Sequence, residues 1–207
     1  MTNYENYTFV QGEADVAPLL LLHGTGGDEQ DLIPLGHFLS PQASLLAIRG
    51  RIVEQGANRY FKHTATGGFD LKNLESETTW LIETLQELAS QHKLDLNRLI
   101  VMGYSNGANV AAKFILDGKV PIKTGIFFHP MILTPDDATT DLSDSAIWMS
   151  HGSLDPIVTE ANFKALATAF TSKHAKVETY EAKQSHNLSE NELQAAKDWL
   201  AQSGRLR

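Results

Sequence analysis

Short apolar runs that stop abruptly at small or polar residues recur along the chain. Leu19–Leu22 is four leucines in succession, ending at His23-Gly24-Thr25-Gly26-Gly27. A run that is apolar at every position, rather than at alternate ones, is how a strand covered on both faces reads. Residues 44–48 end at Arg49-Gly50, 99–102 at Gly103, 122–128 at His129-Pro130 and 146–149 at Ser150-His151-Gly152; with 177–180 they complete six predicted strands. Between them the apolar period changes. Leu81, Leu85 and Leu88 fall at i, i+4 and i+7, and Phe163, Leu166 and Phe170 at i, i+3 and i+7, the spacing of one helix face. Ser189 followed by Glu192 has the form of a capping box, in which two side chains satisfy two orphan backbone donors. Leu193, Ala196 and Leu200 then supply the buried face of a last helix.

Alternation of apolar strand and amphipathic helix requires crossovers and hence parallel pairing. The expectation is an α/β fold: a mostly parallel open sheet with helices on both faces, in one domain over residues 1–207 with no large cap. In such sheets chemistry gathers at the carboxyl ends of the strands. Two connections are long and irregular: 51–73, with Gly56, Gly67 and Gly68, and 131–145, with Asp136, Asp137, Asp141 and Asp144 and no helical period. Long loops in compact domains are often functional.

Composition narrows the chemistry. Hydrophobic residues are 42% and charged residues 20% of the 207, ordinary for a globular chain. Seventeen basic against 25 acidic residues give a net charge of −8, the wrong sign for neutralising phosphates, so nucleic acid is not an expected partner. The chain has no cysteine, which excludes a disulfide framework, a thiolate zinc site and a cysteine nucleophile. Met1-Thr2-Asn3-Tyr4-Glu5-Asn6 lacks the basic and apolar regions of a secretory signal. The most apolar run, 16–22, is far shorter than the roughly 20 residues of a membrane span. A cytoplasmic protein without membrane insertion is expected.

After the strand at 99–102 comes Gly103-Tyr104-Ser105-Asn106-Gly107, then a helix-forming stretch at 108–116. This is Gly-x-Ser-x-Gly in a strand-turn-helix setting. A serine on a sharp turn projects its hydroxyl above the sheet edge, and the glycines remove side chains where helix and strand crowd. The helix start also brings the Asn106 amide toward a developing oxyanion. Such a serine needs a base, and the base an orienting acid. Asp155 follows the strand at 146–149 and His186 the strand at 177–180, giving the order Ser, Asp, His.

Alternatives exist at each position. Asp155-Pro156 also reads as a turn opening. The four aspartates of 131–145 follow the wrong strand for this order and read as a solvated surface. His151 ends a strand near Asp155, with a packing or hydrogen-bonding role as its simpler reading, and His174 suits a helix C-terminus. For a second oxyanion donor, the Thr25 amide in the glycine-rich loop after the first leucine strand fits. That loop lacks the Gly-Lys-Ser/Thr ending of a phosphate loop, and Glu29 occupies the last glycine position of a dinucleotide fingerprint. No His-Glu-x-x-His spacing occurs, and His23, His37, His63, His92 and His129 read as scattered core or surface residues, so neither metal nor cofactor is expected.

These segments, with Arg49-Gly50-Arg51, Asn58-Arg59-Tyr60-Phe61 and Asp155-Pro156-Ile157-Val158, make the chain resemble the α/β-hydrolases of the phospholipase/carboxylesterase family. That family is related to acyl-protein thioesterases and includes small bacterial carboxylesterases, some associated with hydroquinone and quinone stress. The resemblance spans about residues 18–200. It implies a triad of Ser105, Asp155 and His186, with the amides of Thr25 and Asn106 as oxyanion hole. Ser185 stands where such proteins usually have glycine before the histidine.

Arg51, Glu54, Arg59 and Tyr60 lie in the long loop over the expected site. They either shape the substrate pocket or form a buried ion pair and packed aromatic that fix the loop; the second is the simpler reading. Trp80, Trp148 and Trp199 read as core or interface residues. The expected activity is a serine carboxylesterase cleaving small or medium esters, as monomer or homodimer. The rivals are a thioesterase and a non-catalytic binding protein on the same scaffold.

Overall fold

Why Leu19–Leu22 is apolar throughout is plain in the computed structural model, which describes residues 6–66, 68–134 and 139–206. This strand, β2, follows the edge strand β1 (Tyr7–Val10) and precedes helix α1 (Ile33–Leu39) and strand β3 (Leu45–Ile48). A small pair, β4 (Ile52–Glu54) and β5 (Ala57–Arg59), leads to helix α2 (Leu71–His92). The chain then alternates β6 (Ile100–Tyr104), α3 (Asn106–Leu116), β7 (Thr124–Phe128), β8 (Ala146–Gly152), α4 (Glu160–Ser172), β9 (Lys176–Ala182) and α5 (Glu190–Gln202). The sheet runs β1-β3-β2-β6-β7-β8-β9. Only the β1–β3 pair is antiparallel.

Because side chains alternate along a strand, each strand serves two cores. Leu20, Leu22, Leu46 and Ile48 join Leu81, Leu85 and Leu88 of α2, Phe114 of α3, and Phe163, Leu166 and Phe170 of α4. Leu19, Leu21, Leu45 and Ala47 face the other way, toward Leu39 of α1 and Ala196 and Leu200 of α5. Trp148 is in that second core. The Ser189–Glu192 capping box forms at the start of α5. Among the described residues no helix is long and apolar enough to cross a membrane.

All six predicted strands are present, with shifted ends. β6 runs on to Tyr104 and β8 to Gly152, since buried polar residues can continue a ladder that pattern reading stops at the last apolar one. Three elements go beyond the sequence reading: the half-buried β1, the seven-residue α1, and the β4–β5 hairpin inside the loop read as irregular. The hairpin turns on Gln55 (φ 53°) and Gly56 (φ 81°), the two consecutive left-handed residues that a tight hairpin requires. Residues 71–73 of that loop are already helix, capped by the Asp70 carboxylate accepting from Asn73 N at 3.0 Å. Gly67, Asp136 and Asp137 lie outside the described residues.

The helix after Ser105 is set tightly on the sheet. A Cβ on Gly107 would stand 2.1 Å from Leu22 O and 2.5 Å from His23 O, and one on Gly103 2.6 Å from Ala108 Cα. These neighbours are backbone and cannot rotate away. Gly107→Ala should therefore destabilise the protein by about 2–3 kcal/mol, as overpacking does, and lower Tm by about 4–12 °C. A Tm within a degree of wild type by calorimetry would contradict this account of the helix–sheet contact.

Candidate active site

Ser105 joins β6 to α3 with φ 50° and ψ −112°, a conformation that non-glycine residues rarely adopt and that sharp nucleophile turns do. Two bonds hold it there. Its N–H donates to Phe128 O at 2.9 Å, and its carbonyl accepts from Asn109 N at 2.9 Å. The hydroxyl is thereby turned toward His186, with Oγ 2.8 Å from Nε2. The other face of that imidazole meets Asp155, whose Oδ2 is 2.6 Å from Nδ1. The ring also stacks on Tyr104 at 5.7 Å between centroids, and the Tyr104 hydroxyl donates to His186 O at 2.6 Å.

Asp155 divides its two oxygens between its own turn and the histidines. Oδ1 accepts from Ile157 N at 2.8 Å and Val158 N at 3.0 Å, which makes the Asp-Pro turn, and Oδ2 is left for the histidines. Burial pushes this carboxyl up, but the bonds from Val158, His186, Ile157 and His129 outweigh it and hold its pKa at about 2. His151 bonds Val158 O through Nε2 at 3.0 Å and stacks on Phe163, which is the simpler role. His174 sits past α4, 3.3 Å from Asp141. Asp141 and Asp144 are on the surface, the latter 2.8 Å from Lys123.

The hairpin braces the glycine-rich loop. Gly26 N donates to Asn58 O at 2.9 Å and Asn58 Nδ2 to Gly27 O at 2.9 Å. Behind the loop, His23 Nε2 accepts from Gly50 N at 3.1 Å, which leaves Nδ1 as the donor to Gly24 O at 2.6 Å. That fixes a neutral tautomer, consistent with a pKa lowered by burial. Tyr60 is fully buried, donating to Ile48 O at 2.6 Å and accepting from His23 N at 3.1 Å. Its own N–H donates to Asn106 Oδ1 at 2.7 Å. The strand ends bearing Thr25 and Asn106 are thus tied through one tyrosine.

A cleft of about 390 Å³ opens over Ser105, lined by Thr25, Asn106, Arg59, His63, Phe69, Met131, Ile157 and His186. Of the pocket candidates Arg51, Arg59 and Tyr60, only Arg59 lines it. Arg51 turns outward to chelate Glu77 at 2.7 and 3.2 Å and lies 4.6 Å over Trp80. Tyr60 is scaffold, not pocket wall. Glu54 is 2.7 Å from His63 and 3.6 Å from Arg59, so the loop has an ion pair alongside the cleft position of Arg59, but a partly exposed one and not the buried pair expected.

Two residues near Asp155 went unread in the sequence. His129, read as a scattered histidine, is fully buried with Nδ1 2.9 Å from Asp155 Oδ2. Glu192, read only as half of a capping box, is 3.2 Å from His129 Nε2. The available signal for His129 was its place, the first residue beyond a parallel strand. His129, Asp155 and His186 bring nitrogen and oxygen atoms within 4.8 Å of one another. The contacts of 2.6 and 2.9 Å are those of hydrogen bonds; ligands of one tetrahedral zinc ion stand about 3.3 Å apart.

Asp155 titrates lower in the folded chain than the roughly 3.9 of a free aspartate. Its contribution to stability is complete above that value and is lost as pH falls through about 2. Asp155→Asn should thus carry a urea-midpoint deficit that shrinks as pH falls below about 4. An equal deficit at pH 3 and pH 7 would contradict the depressed value.

Residues 66–203 match the family Phospholipase/Carboxylesterase. The chain is 36% identical to MhqD of Bacillus subtilis (strain 168) over 185 residues, 89% of this chain and 92% of that one. Its structure matches that of YahD with malic acid at 42% identity and TM-score 0.93, covering 95% and 98% of the two chains. It matches the Bacillus cereus carboxylesterase at 33% identity and TM-score 0.93, covering 98% and 96%. Sequence motif, sheet topology and relatives agree that the chain belongs to the phospholipase/carboxylesterase family of α/β-hydrolases.

Proposed function

We propose that the protein hydrolyses small or medium carboxylic esters through an acyl-enzyme on Ser105. The observation that carries this reading is the unbroken chain from Ser105 Oγ to His186 Nε2 at 2.8 Å and from His186 Nδ1 to Asp155 Oδ2 at 2.6 Å, at the floor of an open cleft. His186 takes the Ser105 proton as the hydroxyl attacks the ester carbonyl, and Asp155 holds the ring and balances its charge. The backbone amides of Thr25 and Asn106 donate to the oxyanion. The tetrahedral species collapses with His186 returning the proton to the departing alcohol. Water, activated by the same ring, then releases the acid.

The cleft supports the size class. Its volume of about 390 Å³ is near the lower end of small-molecule sites. Phe69, Met131 and Ile157 offer it a modest apolar wall, and Arg59 brings a positive charge to its lining.

A fluorophosphonate probe with intact-mass readout should label wild type once and leave Ser105→Ala unlabelled. Turnover of p-nitrophenyl acetate and butyrate should fall about a million-fold in that variant. An unlabelled wild type would overturn the nucleophile, and faster turnover of long-chain than of short esters would overturn the size class.

A further inference from the structure

His129 occupies a place that acyl transfer by Ser105 and His186 does not require. It is the first residue past β7, in the left-handed region (φ 50°), with no side-chain exposure. Its ring lies between two carboxylates that are themselves fully buried: Asp155 Oδ2 is 2.9 Å from Nδ1 and Glu192 Oε1 is 3.2 Å from Nε2.

A neutral imidazole has one N–H and one lone pair. Asp155 Oδ1 already accepts two backbone amides, and Oδ2 faces His186. As a carboxylate it needs a donor at His129 Nδ1. A neutral His129 would then place the bare lone pair of Nε2 3.2 Å from Glu192 Oε1, two acceptors side by side. Gln184 does not relieve the clash. Its amide nitrogen is 3.4 Å from His129 Nε2, but its two hydrogens have nearer partners in Glu192 Oε2 at 2.7 Å and Asn187 O at 3.0 Å. Glu192 Oε1 has no partner of good hydrogen-bond geometry among the described residues; this ring nitrogen and the Ser150 hydroxyl are the groups near it.

The geometry points to His129 as a buried imidazolium, a positioning residue that donates Nδ1–H to Asp155 and turns Nε2–H to Glu192, holding the triad carboxylate in place and offsetting its charge. Glu192 keeps the proton on His129. The inference rests on the acyl-transfer reading given above.

The local electrostatics agree. Burial pulls His129 down, but its contacts with Glu192 and Asp155 more than offset this and leave its pKa raised. Burial pushes Glu192 up, yet His129, Ser150 and Gln184 draw it below its ordinary value. The groups facing the ring come from every neighbouring element. They are Tyr104 of β6 at 6.1 Å, Ser150 of β8, Asp155 in the turn after β8, Gln184 and His186 after β9, and Glu192 of α5, with His186 at 5.1 Å between centroids. Arg59 and His63 line the cleft with His186. A fixed cation 5.1 Å from the His186 ring, between centroids, is close enough to couple to any charge placed on that ring.

The direct test is nitrogen-detected NMR of histidine-labelled protein, with His129 assigned by through-bond correlation in wild type and in Ser105→Ala. Both ring nitrogens of His129 should be protonated at neutral pH in both proteins; a single N–H would overturn the inference. This readout needs no turnover. It therefore stands or falls separately from the nucleophile, which probe labelling reads. In parallel, the acid limb of kcat/KM should move to higher pH in His129→Gln by about one unit. It should move the same way in Glu192→Gln, which keeps a capping-box side chain but removes the carboxylate that holds the proton on His129. A merely structural role would lower the rate alike at all pH values, and that result in both variants would overturn the proposal. Should His129→Gln fail to fold, the wild-type NMR and Glu192→Gln still decide it.

Discussion

Asp155 is a carboxylate whose side chain is fully buried, and much of the carboxyl edge of the sheet is organised by the need to satisfy it. An ion in such a place costs several kcal/mol unless its lone pairs are met. Four donors meet them, and they come from separate parts of the chain: Ile157 and Val158 in its own turn, His129 at the end of β7, and His186 beyond β9. The strands β7, β8 and β9 are neighbours in that order, so parallel pairing delivers these groups to one point. With all four in place the acid titrates at about 2 and stays charged wherever the protein works.

The opposite wall of the cleft is set by a different device. There the requirement is that two strand ends, after β2 and after β6, present backbone toward a common space. Tyr60 links them with three hydrogen bonds, reaching Ile48, His23 and the Asn106 side chain, and the β4–β5 hairpin clamps the Thr25 loop through Asn58. Buried hydrogen bonds of this kind are costly to break singly because each leaves an orphan. The wall is thus held by hydrogen bonds, and Asn106 joins it through Oδ1 while its backbone begins α3.

How much of this was legible follows from the range of the interactions. The six predicted strands, the helical faces of α2 and α4 and the capping box are local patterns, and they read directly. The meeting of Ser105, Asp155 and His186 is legible because each follows a strand, in a fixed chain order. β1 was not, since Tyr-Thr-Phe-Val is only half-buried and gains its place by pairing with β3. The hairpin hid in a polar segment whose turn depends on Gln55, a residue that gives no sign of adopting positive φ. His129 and Glu192 stand 63 positions apart and meet only in the folded chain; composition makes them an unremarked histidine and a helix cap. Arg51 and Arg59 look alike in sequence, and only the hairpin's register turns one to Glu77 and the other to the cleft.

Ser105 and His129 share an unusual feature: each leaves its strand with φ of 50°, a conformation costing about 1–2 kcal/mol for a residue with a side chain. In each case the residue's own N–H bonds the next strand across, Ser105 to Phe128 O and His129 to Ser150 O; Ser153 repeats the bond to Ala182 O at 2.9 Å. The sheet thus ends as a staircase, each step fastened to its neighbour before the chain turns away. A left-handed residue at such a step redirects the chain at once, so its side chain stands on the edge of the sheet rather than on a face. Glycine would relieve the strain at both positions but would carry neither the hydroxyl nor the imidazole. The ladder to the adjacent strand is what lets these two residues occupy that conformation together, and it ties Ser105, His129 and Asp155 to one rigid frame.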